Sequence, residues 1–372
     1  MEATKRGSVP PVPKYIKSLV PYPPGKPLEE LEREYGITGS IKLASNENPL
    51  GPSPKALRAM EKAVRGLHRY PDGSSYYLKN RLAEIYKVGQ DQIVLGNGSN
   101  EVIDFLIRVF VDQESEVISS DPSFLVYRKM VQATGGNNVL VPLKDDRHDL
   151  DAILRAVTPR TRIIFLDNPN NPMGTVIRKK DFDRLLNALP ENVLVVLDEA
   201  YMEFVTDTDT PKGHEYLDSD RRVVFLRTFS KAYGLAGLRI GYGVMDPEVA
   251  TNLEKVRQPF NINTMAQVAA LAALDDREHL EASCKVTWEG IDQLTKGLTK
   301  LGCRPLPTQT NYVMVDVGKD AKKVYEAMLR KGVIVRSMAS YGFTTFIRIT
   351  AGTQQENKRC LNALEQVLDE TG

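Results

Sequence analysis

Apolar residues in the first two thirds of the chain fall in short, unbroken runs: Ile93–Leu95, Val117–Ile118, Ile163–Leu166, Val193–Leu197 and Val223–Leu226. Runs without alternation predict strands buried on both faces, as in a parallel sheet covered by helices on each side. The stretches Val102–Val111 and Lys180–Leu189 have helical periodicity and supply crossovers between such strands. Each run stops at a polar cluster. The clusters are Gly96-Asn97-Gly98-Ser99-Asn100, Asp121-Pro122-Ser123-Phe124, Asp167-Asn168-Pro169-Asn170-Asn171-Pro172, Asp198-Glu199-Ala200-Tyr201 and the segment from Thr228 to Arg239. In open sheets of this kind ligands sit at the carboxyl ends of the strands. Asn168, Asp198, Tyr201 and Lys231 are therefore expected to converge on one edge.

The pattern changes beyond about residue 250. A helix over 266–274, a long amphipathic helix over 280–301 closed by Gly302, strands at 311–317, 332–336 and 346–350, and a capping box at Thr353–Glu356 predict a smaller α+β lobe. Residues 1–27 are rich in proline and predict an extended arm that attaches to this lobe. A helix at 28–35 ending on Gly36, a short strand at 41–44 and a helix from Pro54 follow. The expected fold is α/β, with a large domain over 46–263 and a small domain built from 1–45 and 264–372.

Composition narrows the function. Lys and Arg (49) nearly balance Asp and Glu (48), so no basic footprint for nucleic acid or an anionic membrane is present. The chain carries no run of roughly 18 apolar residues and no apolar core near Met1–Pro13, which predicts a cytosolic protein. Cys284, Cys303 and Cys360 are far apart and predict reduced thiols; His68, His148, His214 and His279 are equally scattered, and no metal site is expected.

Within the polar clusters the segment Thr228-Phe229-Ser230-Lys231-Ala232-Tyr233-Gly234-Leu235-Ala236-Gly237-Leu238-Arg239 gathers an amine, hydroxyls, glycines and a guanidinium. Such a set can anchor a phosphorylated cofactor covalently, or it can be a loop with a solvated lysine. Gly96–Glu101 before a helix is an anion cup or a turn that needs glycine for geometry alone. Arg336 and Arg348, inside apolar strands, need either an acidic partner or an anionic ligand. Asn46 and Tyr70 lie in turn-like sequences, and Phe124 reads equally well as core.

The lysine segment resembles the Schiff-base signature of fold-type I aminotransferases that use pyridoxal phosphate, T-x-S-K-A-x-G-x-x-G followed by Arg. Asn-Pro-Asn-Asn-Pro-Met-Gly at 168–174 resembles the same class, while Arg-Tyr-Pro-Asp-Gly at 69–73, Ser-Asn-Glu-Asn-Pro at 45–49, the arm around Tyr22, and the two arginines resemble its histidinol-phosphate branch. The resemblance implies Lys231 as the Schiff-base lysine and proton carrier, Asp198 against the pyridine nitrogen, and Tyr201 and Asn168 on the phenolic oxygen. It implies Phe124 stacked on the ring, with the loss of the hydroxyl that a tyrosine there would carry. Gly98, Ser99, Asn100, Thr228, Ser230 and Arg239 would hold the phosphate with Tyr70 of the partner subunit, which makes a homodimer the expected assembly. Tyr22, Asn46, Arg336 and Arg348 would face the substrate. The implied reaction exchanges L-histidinol phosphate and 2-oxoglutarate for imidazole acetol phosphate and glutamate by ping-pong kinetics, in histidine biosynthesis. Aromatic amino acid aminotransferases and threonine-phosphate decarboxylases share most of these motifs. A pyridoxal-phosphate-binding regulator would carry a DNA-binding domain ahead of the first motif, where only about 40 residues stand, fewer than a domain needs.

Overall fold

The structure is a computed structural model that describes residues 10–21 and 25–370. After β1 (Ile41–Lys42), the chain lays down β2 (Ile93–Gly96), β3 (Glu116–Asp121), β4 (Asn137–Pro142), β5 (Thr161–Asp167), β6 (Leu194–Asp198), β7 (Val223–Thr228) and β8 (Gly241–Val244). These last seven form one sheet in the order β2-β8-β7-β6-β5-β3-β4. Its neighbours are parallel except β8, which runs antiparallel to both β2 and β7.

Successive residues of a strand point to opposite faces, and here each face has its own core. Ile164, Leu166, Val195, Leu197 and Phe225 pack on one side, Ile163, Phe165, Val196, Val224 and Leu226 on the other. That double burial is why these strands read as continuous apolar runs. β4 and β8 were not anticipated: β4 holds the short apolar run Val139–Val141 but is a partly exposed edge strand, and β8 is only Gly-Tyr-Gly-Val.

The second lobe contains β9 (Arg304–Pro305), β10 (Tyr312–Asp316), β11 (Val333–Ile334), β12 (Arg336–Ser337) and β13 (Phe346–Thr350). An antiparallel sheet runs β12-β13-β10-β9, while β11 pairs with β1. The run expected as one strand at 332–336 thus divides at Val335 between two sheets. Helix Arg277–Lys300 and helix Gln354–Glu370 cover the lobe, with Leu294, Leu298, Val313, Val315, Ile349 and Leu364 in its core.

Two expectations are corrected. Helix Thr264–Leu274 buries Ala266, Ala269, Ala270 and Ala273 in a core of the large sheet, so the boundary expected at 263 moves beyond 274. The proline-rich arm is not wholly extended and does not rest on the second lobe over residues 10–21. It forms a turn of helix at Lys14–Lys17 and docks on helix Val126–Thr134, where Gln132 Nε2 donates to the Tyr15 carbonyl at 3.1 Å and Lys129 Nζ donates to that of Val20. Only from the helix Leu28–Tyr35 onward does this part of the chain join the lobe, Leu31 packing with Leu329 and Ile334.

Candidate active site

The carboxyl ends of β5, β6 and β7 meet at a cavity of about 550 Å³ between sheet and lobe, lined by Asp167, Asp198 and Thr228 from these ends. Asp198 closes the central strand and is 4 % exposed. Its Oδ2 accepts a 2.8 Å hydrogen bond from the Tyr127 hydroxyl, whereas Oδ1 is buried without a partner. Burial pushes the carboxyl up to about 7; the Tyr127 hydrogen bond opposes the shift and the Asp167 charge adds to it. The site is built for a cationic donor at Oδ1.

Lys231 follows β7 by three residues and projects into the same cavity, its Nζ donating to the Ser45 carbonyl at 3.2 Å. Burial and then the nearby Arg348 lower its amine to about 8, against the pull of Glu47 and Asp198. At neutral pH an appreciable fraction is the free base, which is the nucleophilic form. The Tyr201 ring centre is 5.8 Å from Nζ. Its buried hydroxyl accepts from Asn46 Nδ2 at 2.7 Å, leaving the O–H to donate elsewhere. Asn46 lines the cavity in a left-handed conformation (φ 56°) and is fastened to the lobe, its N–H to Thr350 Oγ1 and its carbonyl to Asn311 Nδ2, both at 3.0 Å.

At the other end of the cavity lies an anion cup. Helix Ser99–Phe110 begins on Gly98, whose φ of 74° suits glycine, and a Cβ there would come within 2.5 Å of Arg239 Nη2. Arg239 reaches Ser230 Oγ at 3.4 Å and the Ala236 carbonyl at 2.9 Å. Gly98, Ser99, Asn100, Thr228, Ser230 and Arg239 all line the cavity, so free helix N–H groups, hydroxyls and a guanidinium face one spot. Phe124 lines it as well, edge-on to Tyr127 with ring centres 5.5 Å apart.

The lobe contributes two arginines. Arg336 on β12 and Arg348 on β13 are directly opposite in the antiparallel register, and both line the cavity. Arg348 is 7 % exposed and lies over the Tyr312 ring at 4.8 Å; Nη1 donates to Asn171 Oδ1 at 2.7 Å and Nη2 to the Ala44 carbonyl at 3.1 Å, while Nε has no partner. Like charges facing each other across strands repel, so an anion bound between them would be favoured.

One expected residue is misplaced. Asn168 is fully buried outside the cavity wall, its Nδ2 donating to Thr210 Oγ1 at 2.9 Å and its Oδ1 accepting from the Ile177 N–H at 2.8 Å. Asn171, three residues on, takes the cavity position. The sequence holds two Asn-Pro pairs, at 168–169 and 171–172, and the choice of the second was available only as an alternative register. Tyr127 was also missed: its motif position reads as ordinary helix interior, and its link to Asp198 is nonlocal. Tyr70 stands 83 % exposed outside the cavity, stacked on Phe260 at 4.8 Å. Tyr22 lies outside the described residues; nearby Gly25 lines the cavity.

The fit to pyridoxal phosphate rests on three features: the unpartnered Asp198 Oδ1 for a protonated ring nitrogen, the Gly98 cup for a phosphate, and an amine for a carbonyl carbon. These features suit that molecule.

The aminotransferase class I and II family matches residues 38–364, and the chain belongs to that family. Within it, the chain is similar to histidinol-phosphate aminotransferases. It is 53 % identical to that of Desulfotalea psychrophila, covering 96 % of each chain, and 46 % identical to that of Moorella thermoacetica, covering 97 % of this chain and 94 % of the relative. The crystal structure of the histidinol-phosphate aminotransferase from Sinorhizobium meliloti in complex with pyridoxal-5'-phosphate superposes with a TM-score of 0.90 at 31 % identity, over 98 % of this chain and 99 % of the other.

Proposed function

We infer that this chain is a histidinol-phosphate transaminase using pyridoxal phosphate, converting L-histidinol phosphate and 2-oxoglutarate to imidazole acetol phosphate and glutamate in histidine biosynthesis. When bound, the cofactor supplies an electron sink that stabilises charge on the substrate carbon next to nitrogen. The chain's own residues do the rest. Asp198 Oδ1 would accept the ring-nitrogen hydrogen. Tyr201, held by Asn46, would donate its hydroxyl hydrogen to the ring's phenolic oxygen, with Asn171 in the role first expected of Asn168. Ser99, Asn100, Thr228, Ser230 and Arg239 would bind the phosphate, and Phe124 would stack on the ring. Lys231, its amine lowered to about 8, would serve as base and then acid, taking a proton from the substrate carbon next to nitrogen and giving one back.

The observation that supports this substrate reading is the Arg336–Arg348 pair facing Lys231 across one cavity. Both substrates are anions, and one arginine pair can receive a phosphate in the first half-reaction and a carboxylate in the second. The acting species is taken to be a cytosolic homodimer in which Tyr70 of the partner subunit completes the phosphate cup. Its support is the exposed aromatic patch of Tyr70, Tyr76, Tyr77 and Phe260. A substrate panel on the purified, cofactor-loaded protein tests the reading. Transamination of histidinol phosphate with 2-oxoglutarate is expected. Turnover of phenylalanine with none of histidinol phosphate would make it an aromatic aminotransferase, and CO2 release without an oxo acid a decarboxylase.

A further inference from the structure

Asp167 is a buried carboxylate in the cavity wall to which the chemistry above gives no task. It closes β5 directly beside Asp198 in the parallel register and is 3 % exposed. Three donors converge on its oxygens: the Ser123 hydroxyl at 2.7 Å and Asn170 Nδ2 at 3.2 Å on Oδ1, and the Asn171 N–H at 2.7 Å on Oδ2. A side chain that only accepts is an ionised carboxylate. His148 packs behind it. Its Nε2 lies 2.9 Å from the Asp167 carbonyl, which can only accept, so Nε2 bears a hydrogen, and Nδ1 shares a hydrogen bond with Ser120 Oγ at 2.6 Å. The same Nε2 lies 3.4 Å from Oδ1 of the carboxylate.

The consequence runs in two directions. Toward the lobe, the Asn171 N–H held by Asp167 fixes the residue whose Oδ1 receives Arg348 Nη1 at 2.7 Å. Toward the sheet centre, the charge sits next to Asp198. We propose that Asp167 is a positioning residue of this site. It locks Asn171 so that Arg348 meets the substrate's anion, and it sets a second negative charge beside Asp198 at the cofactor's ring end. The inference rests on the transaminase reading above. The charged and titratable groups around it are His148, Asp198, Tyr127, Tyr312 and, through Asn171, Arg348. The Asp167 charge also raises the Asp198 carboxyl, as a close like charge must.

The test uses the protein loaded with pyridoxal phosphate and follows its visible absorbance against pH. A negative charge favours the protonated, cationic chromophore, so D167N is expected to lower the midpoint by about half a pH unit or more. It is also expected to raise KM for histidinol phosphate roughly threefold to tenfold with a smaller change in kcat, because the lost contact serves binding. D167E, which keeps the charge, is expected to return the midpoint toward wild type. A packing role alone would lower the melting temperature and leave the midpoint in place, and that result overturns the proposal, as does an unchanged KM. Should D167N not fold, S123A removes one donor and keeps the charge; KM is then expected to rise with the midpoint fixed, and a wild-type KM overturns the proposal. A wild-type protein that binds no chromophore refutes the transaminase reading instead.

Discussion

Burial acts on Lys231 and Asp198 in opposite senses, because it penalises whichever form is charged: the amine falls to about 8 and the carboxyl rises to about 7. In the protein without cofactor, labelling of Lys231 by a neutral amine-reactive reagent, read by mass spectrometry, should rise with pH and reach half its plateau near pH 8. A midpoint near 10.5, the ordinary lysine value, would mean the amine is solvated. The Asp198 shift has a stability consequence. Its folded value lies above its unfolded one, so the folded state binds the proton more tightly, and that contribution is full below about 3.8 and lost by about 7. Denaturant titrations of the apo protein should therefore show that D198N gains on wild type as pH rises through this window, and parallel curves would contradict the shift. The residue level is also where the sequence misled. Lysine, aspartate and the hydroxyls were legible because each ends an apolar run, but two Asn-Pro pairs three residues apart offer two registers. Only the nonlocal bonds of Asn168 to Thr210 and Ile177, and of Asn171 to Arg348, separate them. N168A should cost about 1–3 kcal/mol of stability by stranding buried partners. N171A should chiefly raise KM for the anionic substrate, as steady-state kinetics beside thermal melts would reveal.

At the scale of elements, strand ends create the site and turns decide what can approach. Helix Ser99–Phe110 starts at Gly98, where a left-handed backbone and the 2.5 Å approach of Arg239 to a virtual Cβ exclude larger residues. Gly241 on β8 is similarly constrained, its virtual Cβ falling 2.3 Å from the Ser99 N–H, so the reversed strand packs directly against the cup. G98A should displace Arg239 and weaken retention of pyridoxal phosphate on dialysis by about tenfold or more, through both strain and lost anion contacts. Full retention would place the phosphate elsewhere. The parallel strands were legible because burial on both faces writes an unbroken apolar run. The split at Val335 was not, since β11 and β12 differ only in partner: β1 lies some 290 residues upstream, whereas β13 follows about ten residues on. Helix Thr264–Leu274 was legible as a helix but not as part of the first body. Its small alanines mark close packing without naming the neighbour, which proves to be helix Pro54–Ala63.

At the scale of the molecule, the cavity belongs to neither body alone: Lys231, Asp198 and the cup come from the sheet, Arg336 and Arg348 from the lobe, and Asn46 joins Tyr201 to Thr350 across the gap. Tyr70 lies outside this cavity, 83 % exposed and stacked on Phe260. In the proposed homodimer a second copy would present its hydroxyl. Mixing two impaired variants distinguishes the arrangements. K231A lacks the amine and keeps Tyr70; Y70A keeps the amine and lacks the hydroxyl. If each cup takes its tyrosine from across a twofold interface, a mixed dimer has one site with both residues and one with neither. Random pairing makes about half the dimers mixed, each with one working site of two, so co-expression should restore about a quarter of wild-type activity from two weak parents. If Tyr70 served its own chain, or the protein acted as a monomer, mixing would give only the average of the parents. Sedimentation of the mixed sample alongside the assay separates failure to dimerise from failure to share.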